Sequence, residues 1–471
     1  MRKFIFFELN EVPFTIIDHF CQRNPQSALA KILPKCMQVE TVAEDEGELS
    51  PWKTWPTVHR GVTNAKHKIH DFGENLSEVD KQYPPIWKIL ADSGKKPGVF
   101  ASMHTYPMPS NYQDYSFFIP DPFAGDSHSH PKNIEPFQKF NLAMSRKSGR
   151  NVDTGIDMKA ASALAVSLPT LGIQVKTLAS VANQLIAERK ENWKKNRRRV
   201  FQSVLAFDIY LKLVQKKKPS FSTFFSNHVA STMHRYWAAT FPDHYDTYNL
   251  SEEWKNRFAG EIDYAMQHFD SFFAQLIKFA DKNPEYKIVI SSSMGQEATK
   301  AEQLSTELYC KDLDKFLQTF GLNDTQWEIK PAMHPQYNFA VENPALADKL
   351  EADLKQVVIA EKGLIFRRKE NFFSINFGHR NLEEDNFTFK ETHVKLATAA
   401  LFNEQIDDES DGTAYHIPEG CLIVYDPKDK SLKNTRTKGI STTAIAPSFL
   451  QHFEIPVPDY MTTTRIEAIT G

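Results

Sequence analysis

Phe4-Ile5-Phe6-Phe7-Glu8-Leu9-Asn10-Glu11-Val12-Pro13 is the stretch that decides the fold. An apolar run this short, unbroken rather than alternating, suits a strand covered on both faces. The reading is a buried strand over residues 3–9 that breaks into polar residues, with a helix from about 13 to 22. Gly98–Met103, Ser222–Asn227 and Lys287–Ser292 repeat the pattern, and helical stretches such as 252–281 separate them. Strands alternating with helices predict a doubly wound α/β/α sandwich, whose ligands bind at the carboxyl ends of the strands.

Two regions depart from that rhythm. Residues 121–215 start Pro-rich and turn helical and basic, which reads as a helical cap insertion. Residues 301–385 mix helix with short strands at Trp327–Lys330, Gly363–Arg367 and Phe372–Phe377, which reads as a smaller α+β insertion. The core then comprises 1–120, 216–300 and 386–471, resuming with a helix from about 391.

Bulk properties narrow the function. The chain has 471 residues, 41% hydrophobic and 24% charged, with net charge −3. That composition is ordinarily globular and gives no overall pull toward nucleic acid. Glu8 and Asn10 interrupt the first apolar run well short of a signal-peptide core, and no apolar stretch approaches the ~20 residues of a membrane span. Cys21, Cys36, Cys310 and Cys421 show no metal or disulfide spacing. The expectation is a cytoplasmic protein without a transmembrane segment. The basic stretch 189–218 is either a solvated helix face or a surface for peripheral membrane or glycan contact.

Five segments in order resemble the type I phosphodiesterase/nucleotide-pyrophosphatase branch of the alkaline-phosphatase superfamily. They are Phe6–Pro13, Pro51-Trp52-Lys53-Thr54-Trp55-Pro56 with Val62-Thr63 and His70 after it, His234-Arg235-Tyr236-Trp237, Ser292-Ser293-Met294-Gly295, and Thr442–Met461. The resemblance implies an alkaline-phosphatase-like fold and a site that normally holds two divalent ions on carboxylates and histidines. Thr54 falls at the nucleophile, His70 at a positioning histidine, and His234 and His393 at metal histidines. The carboxylates do not carry over: the family's aspartates fall on Asn10, Ala230 and Ser293, and Met294 replaces a histidine. The metal site is degenerate by this reading, with His234, His393 and Glu8 as candidate ligands for zinc or manganese.

The residues beside the altered positions are polar. Glu8, Asn10, Glu11, Asn227, His228, Ser293 and Gln296 are expected to line the substrate pocket, with Ser293 and Met294 as walls. Without a metal, Thr54 needs a base, for which His59, His70 and His228 are the candidates. Thr57 is the second choice of nucleophile, and His128 with His130 forms an alternating pair in a Pro-rich loop. Two readings stand side by side. One is a phosphoester or phosphodiester hydrolase, or a phosphoryl-type transferase, acting on an anionic nucleotide-sugar, glycan or phosphodiester substrate, in surface-polysaccharide metabolism for instance. The other is a pseudoenzyme or binding protein, or a metal-independent transferase, in the same pocket.

Overall fold

The computed structural model describes residues 2–147, 156–333, 336–433 and 435–471. Its centre is an eight-stranded sheet in the order Arg436–Ser441, Met37–Val42, Glu419–Tyr425, Tyr286–Ser291, Lys3–Leu9, Phe221–Ser226, Gly98–Phe100, Phe117–Ile119. Glu419–Tyr425 runs antiparallel to both its neighbours and the other pairings are parallel. The opening strand lies near the middle, flanked in register by Phe221–Ser226 and Tyr286–Ser291. That position explains its unbroken apolar character.

Strand periodicity sends successive side chains to opposite faces. Phe4 and Phe6 pack on Phe449 of the Ile445–His452 helix, at 5.1 and 5.4 Å between ring centroids. Phe7 points the other way, to Phe207, Phe269 and Phe272 on the helices Arg198–Lys217 and Glu261–Lys282. Helices therefore cover both faces, and the doubly wound sandwich is the fold.

The Arg198–Lys217 helix, grouped with the cap in the sequence reading, packs Phe207 and Tyr210 against sheet residues Phe7, Phe100 and Phe224. The other helices of this region are Glu135–Lys147, Met158–Leu171 and Val175–Lys190, the first of which packs Phe137 on Phe100 of the sheet. No helix of the described residues is long and apolar enough to cross a membrane.

The second insertion has its own hydrophobic cluster, running from Leu308 to Leu401, and two four-stranded sheets. Its extent corrects the sequence reading: residues from about 391 form no core helix. Asn386–Phe389 and Thr392–Lys395 make a hairpin of the insertion, and the main sheet resumes only at Glu419. The hairpin turns on Lys390 and Glu391, both with positive φ (48° and 63°). Such turns usually carry Asn or Gly, so Lys-Glu left no trace in the sequence.

Candidate metal and anion site

The opening strand ends at Leu9, and the chain turns at Glu11 in the left-handed region, φ 57°. A non-glycine residue there is held by its surroundings, and Glu11 has many. Its Oε1 accepts from Asn10 Nδ2 at 2.7 Å. Its Oε2 faces His234 Nε2 at 2.8 Å and His416 Nε2 at 3.3 Å, and accepts from Gln296 Nε2.

Each partner arrives on a different element. His234 is on the His228–Thr240 helix, which follows the strand next to the first. Gln296 and His416 are cross-strand partners in the short ribbon of Gly295–Ala298 with Ala414–Ile417. Gly295 lets that ribbon dock: a Cβ there would lie 2.2 Å from the carbonyl of Glu419 and 3.0 Å from Pro13.

Both histidines are oriented from behind. His234 Nδ1 donates to the Ala414 carbonyl at 2.8 Å, and His416 Nδ1 donates to the Leu49 carbonyl at 2.7 Å. This turns both Nε2 atoms to the carboxylate, as carbonyl-anchored metal histidines are turned. Burial alone would raise the Glu11 pKa, but His416 and His234 hold it well below the ordinary carboxylate range. Burial would lower that of His416, yet Glu11 pulls it above the usual histidine value.

The three groups offer one ligand atom each within 4.8 Å of one another, and His416 Nε2 is buried without a hydrogen-bond partner. A carboxylate oxygen and two imidazole nitrogens fit one zinc- or manganese-like cation with three protein ligands.

Asn10 ties this carboxylate to the sandwich. Its Oδ1 accepts from Trp55 Nε1 and its Nδ2 also donates to Asn227 Oδ1, each at 2.7 Å. Asn10, Glu11, Asn227, His228 and His234 line one cavity of about 500 Å³, together with His416. Arg199, Arg235, Lys300 and Arg380 give that cavity positive walls; Trp52, Phe100, Phe123 and Phe225 supply apolar ones. Arg235 pairs with Asp408 at 3.3 Å and Arg380 with Asp411. Burial and the neighbouring Arg235 lower the Arg199 guanidinium to about 9.

The other residues singled out in the sequence stand elsewhere. His393 is exposed on the insertion hairpin, with Nδ1 3.3 Å from Asn386 Oδ1; His416 takes the place in the cluster expected of it. Glu8 shares the face of Phe4 and Phe6, where it meets His59 Nε2 at 2.8 Å and Ser102 Oγ at 3.1 Å, away from the cluster. Thr54 is fully buried and does not line the cavity. Its hydroxyl donates to the Ser50 carbonyl at 3.2 Å and lies 2.8 Å from Ser293 Oγ. Ser293 and Met294 are likewise fully buried behind the cavity rather than forming its wall.

Thr57 donates to Asp45 at 2.6 Å. His70 lies beside Glu74, which accepts from its backbone N–H at 3.0 Å, and off the cavity. His228 has both ring nitrogens engaged, with Ser226 Oγ at 2.7 Å and the Ala265 carbonyl at 3.2 Å, and burial lowers its pKa to about 3. That ring is no base at neutral pH. His128 and His130 both pack against the Tyr112 ring.

Sequence reasoning missed His416 and the four cations. His416 had a faint signal: Ala414 and His416 alternate on one side of a short strand just before the apolar Glu419–Tyr425.

No protein-family profile matches the chain, and no curated protein matches it by sequence. Solved structures do align with it. Murine ectonucleotide pyrophosphatase/phosphodiesterase 5 covers 97% of this chain and 96% of its own, with a TM-score of 0.42 at 9% identity. An inactive variant of that murine enzyme, in complex with AMP, aligns with the same values. The human form of the enzyme covers 98% of this chain and 97% of its own, with a TM-score of 0.40 at 11% identity. A likeness this distant carries nothing about the chemistry of the site.

Proposed function

We propose that the chain is a single-metal phosphoester or phosphodiester hydrolase, or phosphoryl-type transferase, acting on an anionic substrate. One observation carries this reading: Glu11, His234 and His416 converge on one point inside a cavity that also receives Arg199 and Arg235. Glu11, His234 and His416 would hold the cation, which would supply Lewis acidity to the reaction. The chain's own residues do the rest. Arg199 and Arg235 bind and neutralise phosphoryl oxygens in a cavity where charge is poorly screened. Trp52 and Phe123 exclude water and hold an apolar or planar portion of the substrate. Asn10 and Gln296 fix the Glu11 carboxylate. Thr54 is not needed as nucleophile.

The four cysteines are free, three of them buried, which supports a reducing, cytoplasmic setting. A nucleotide-sugar or glycan-phosphate substrate would suit that compartment.

The test is elemental mass spectrometry of tag-free protein after incubation with zinc or manganese, alongside hydrolysis of bis(p-nitrophenyl) phosphate. One ion per chain, with turnover lost on chelation, is the expected result. No ion and no turnover would overturn the proposal.

A second reading, a binding protein without turnover, is favoured by the enclosure of Thr54. Under it, an anionic ligand binds the cavity unchanged, and Arg199→Ala weakens that binding whether or not an ion is present.

A further inference from the structure

The Val175–Lys190 helix is folded inside out. A surface helix ordinarily buries its apolar stripe and shows its polar one. Here Thr177, Gln184 and Glu188 are the buried residues. Gln184 Nε2 donates to the Lys194 carbonyl at 2.7 Å, and Glu188 takes a two-pronged ion pair from Arg198 at 2.6 and 2.9 Å. Val175, Leu178, Leu185 and Ile186 face solvent, with Val175 82% and Ile186 54% exposed. Their spacing of three, seven and one places them on one side of the helix, with Ala182 between.

The preceding helix, Met158–Leu171, likewise exposes apolar side chains, Met158 at 74% and Val166 at 83%. From 158 through 187 the sequence contains no Asp or Glu. Within the two helices the exposed charges are Lys159, Lys176, Arg189 and Lys190, all of one sign; Glu191, just past the second helix, pairs with Lys194.

We propose that this face is a docking surface for an anionic lipid bilayer, lying in the headgroup plane with its apolar side chains inserted. Interfacial helices combine such a stripe with flanking lysine and arginine, and an acidic leaflet complements the rim. The same rim argues against a second copy of the chain, since two such faces would set lysine and arginine against their like. The binding element is the apolar stripe rather than the whole basic stretch 189–218. Within that stretch Arg197 and Arg198 are taken up by Glu261 and Glu188, and Arg199 lines the cavity. The Arg198–Glu188 pair also clamps the docking helix to Arg198–Lys217, the helix that supplies Arg199, Gln202, Ser203 and Ala206 to the cavity. A bilayer on this face therefore stands one helix away from bound substrate.

The experiment is co-sedimentation of the full chain with phosphatidylcholine vesicles, with and without about 30 mol% phosphatidylglycerol. The wild type is expected to bind the anionic vesicles. The L185E/I186E and K176E/R189E variants are each expected to lose about ten-fold or more in partitioning. Because these side chains are exposed, the thermal midpoint should not move, which separates lost docking from misfolding. Wild type that ignores anionic vesicles, or variants that bind them as well as wild type, would overturn the proposal. So would a wild-type dimer in light scattering that L185E/I186E turns into a monomer.

Discussion

Gln296 and His416 stand directly opposite each other across an antiparallel ribbon, and both reach one carboxylate oxygen of Glu11. A residue at the end of the first strand is thus gripped by a ribbon more than 280 positions later. Its function depends on register, because a slip of one residue would turn both side chains away.

His416→Ala should reduce bound zinc from one ion per chain to a trace, and His393→Ala should leave it unchanged. Elemental analysis of the two variants after identical loading and gel filtration decides between the two histidines. Equal loss in both would mean that the insertion hairpin reaches the site.

Thr54→Val should leave turnover within about three-fold of wild type, because the hydroxyl is spent on Ser50 and Ser293 behind the cavity. A fall of about a thousand-fold or more in kcat would restore Thr54 as the nucleophile.

Arg199→Ala and Arg235→Ala should each lower kcat/KM by about ten- to a hundred-fold, through lost charge-assisted bonds to phosphoryl oxygens. The deficit should shrink with a neutral substrate analogue. Steady-state kinetics with a charged and an uncharged ester reads this directly.

Asn10→Ala removes the partners of Trp55 Nε1 and Asn227 Oδ1 and one donor to Glu11. Leaving such buried groups unsatisfied should cost about 1–3 kcal/mol in urea unfolding. Metal affinity should weaken as well, as it does when an outer support of a ligand is removed.

The Glu11–His416 pair gives the metal-free protein a defined pH signature. The Glu11 pKa is depressed from 4.5, so its contribution is present above that value and lost as pH falls through the folded value. The His416 pKa is raised from 6.5, so its contribution is full below 6.5 and lost as pH rises through the folded value. The stability difference between wild type and Glu11→Gln should therefore be greatest between 4.5 and 6.5 and should decline on either side. Metal affinity should run the other way at the alkaline end, rising as His416 sheds its proton. Urea melts and zinc titrations across this range check both slopes.

The sandwich was legible because its strands are buried on both faces, so the short runs Phe4–Phe7 and Ile288–Ile290 advertise themselves by unbroken apolarity. Asn10, Glu11, Asn227 and Gln296 were legible because each follows closely on a strand or opens the next element, whereas His234, midway along its helix, entered only through the family resemblance. His416 was not. Choosing it over His393 required knowing that Lys390 and Glu391 turn the chain back on itself, and a positive φ at those residue types has no sequence mark. Arg199 hid for a different reason. Within a run of basic residues, which one turns inward depends on the cavity it meets, and only tertiary packing decides that.

Gly295 has a consequence beyond fitting the ribbon against Pro13. The ribbon runs on from Ile417 through Pro418 into Glu419–Tyr425, the antiparallel strand that joins the two halves of the sheet. With no slack at Gly295, an ion gripped by His416 and Glu11 would act as a rivet between the first strand and that late strand. Loading the ion should then make the chain harder to unzip as a whole, with slower protease cutting far from the cavity, in proportion to how tightly the ion is held.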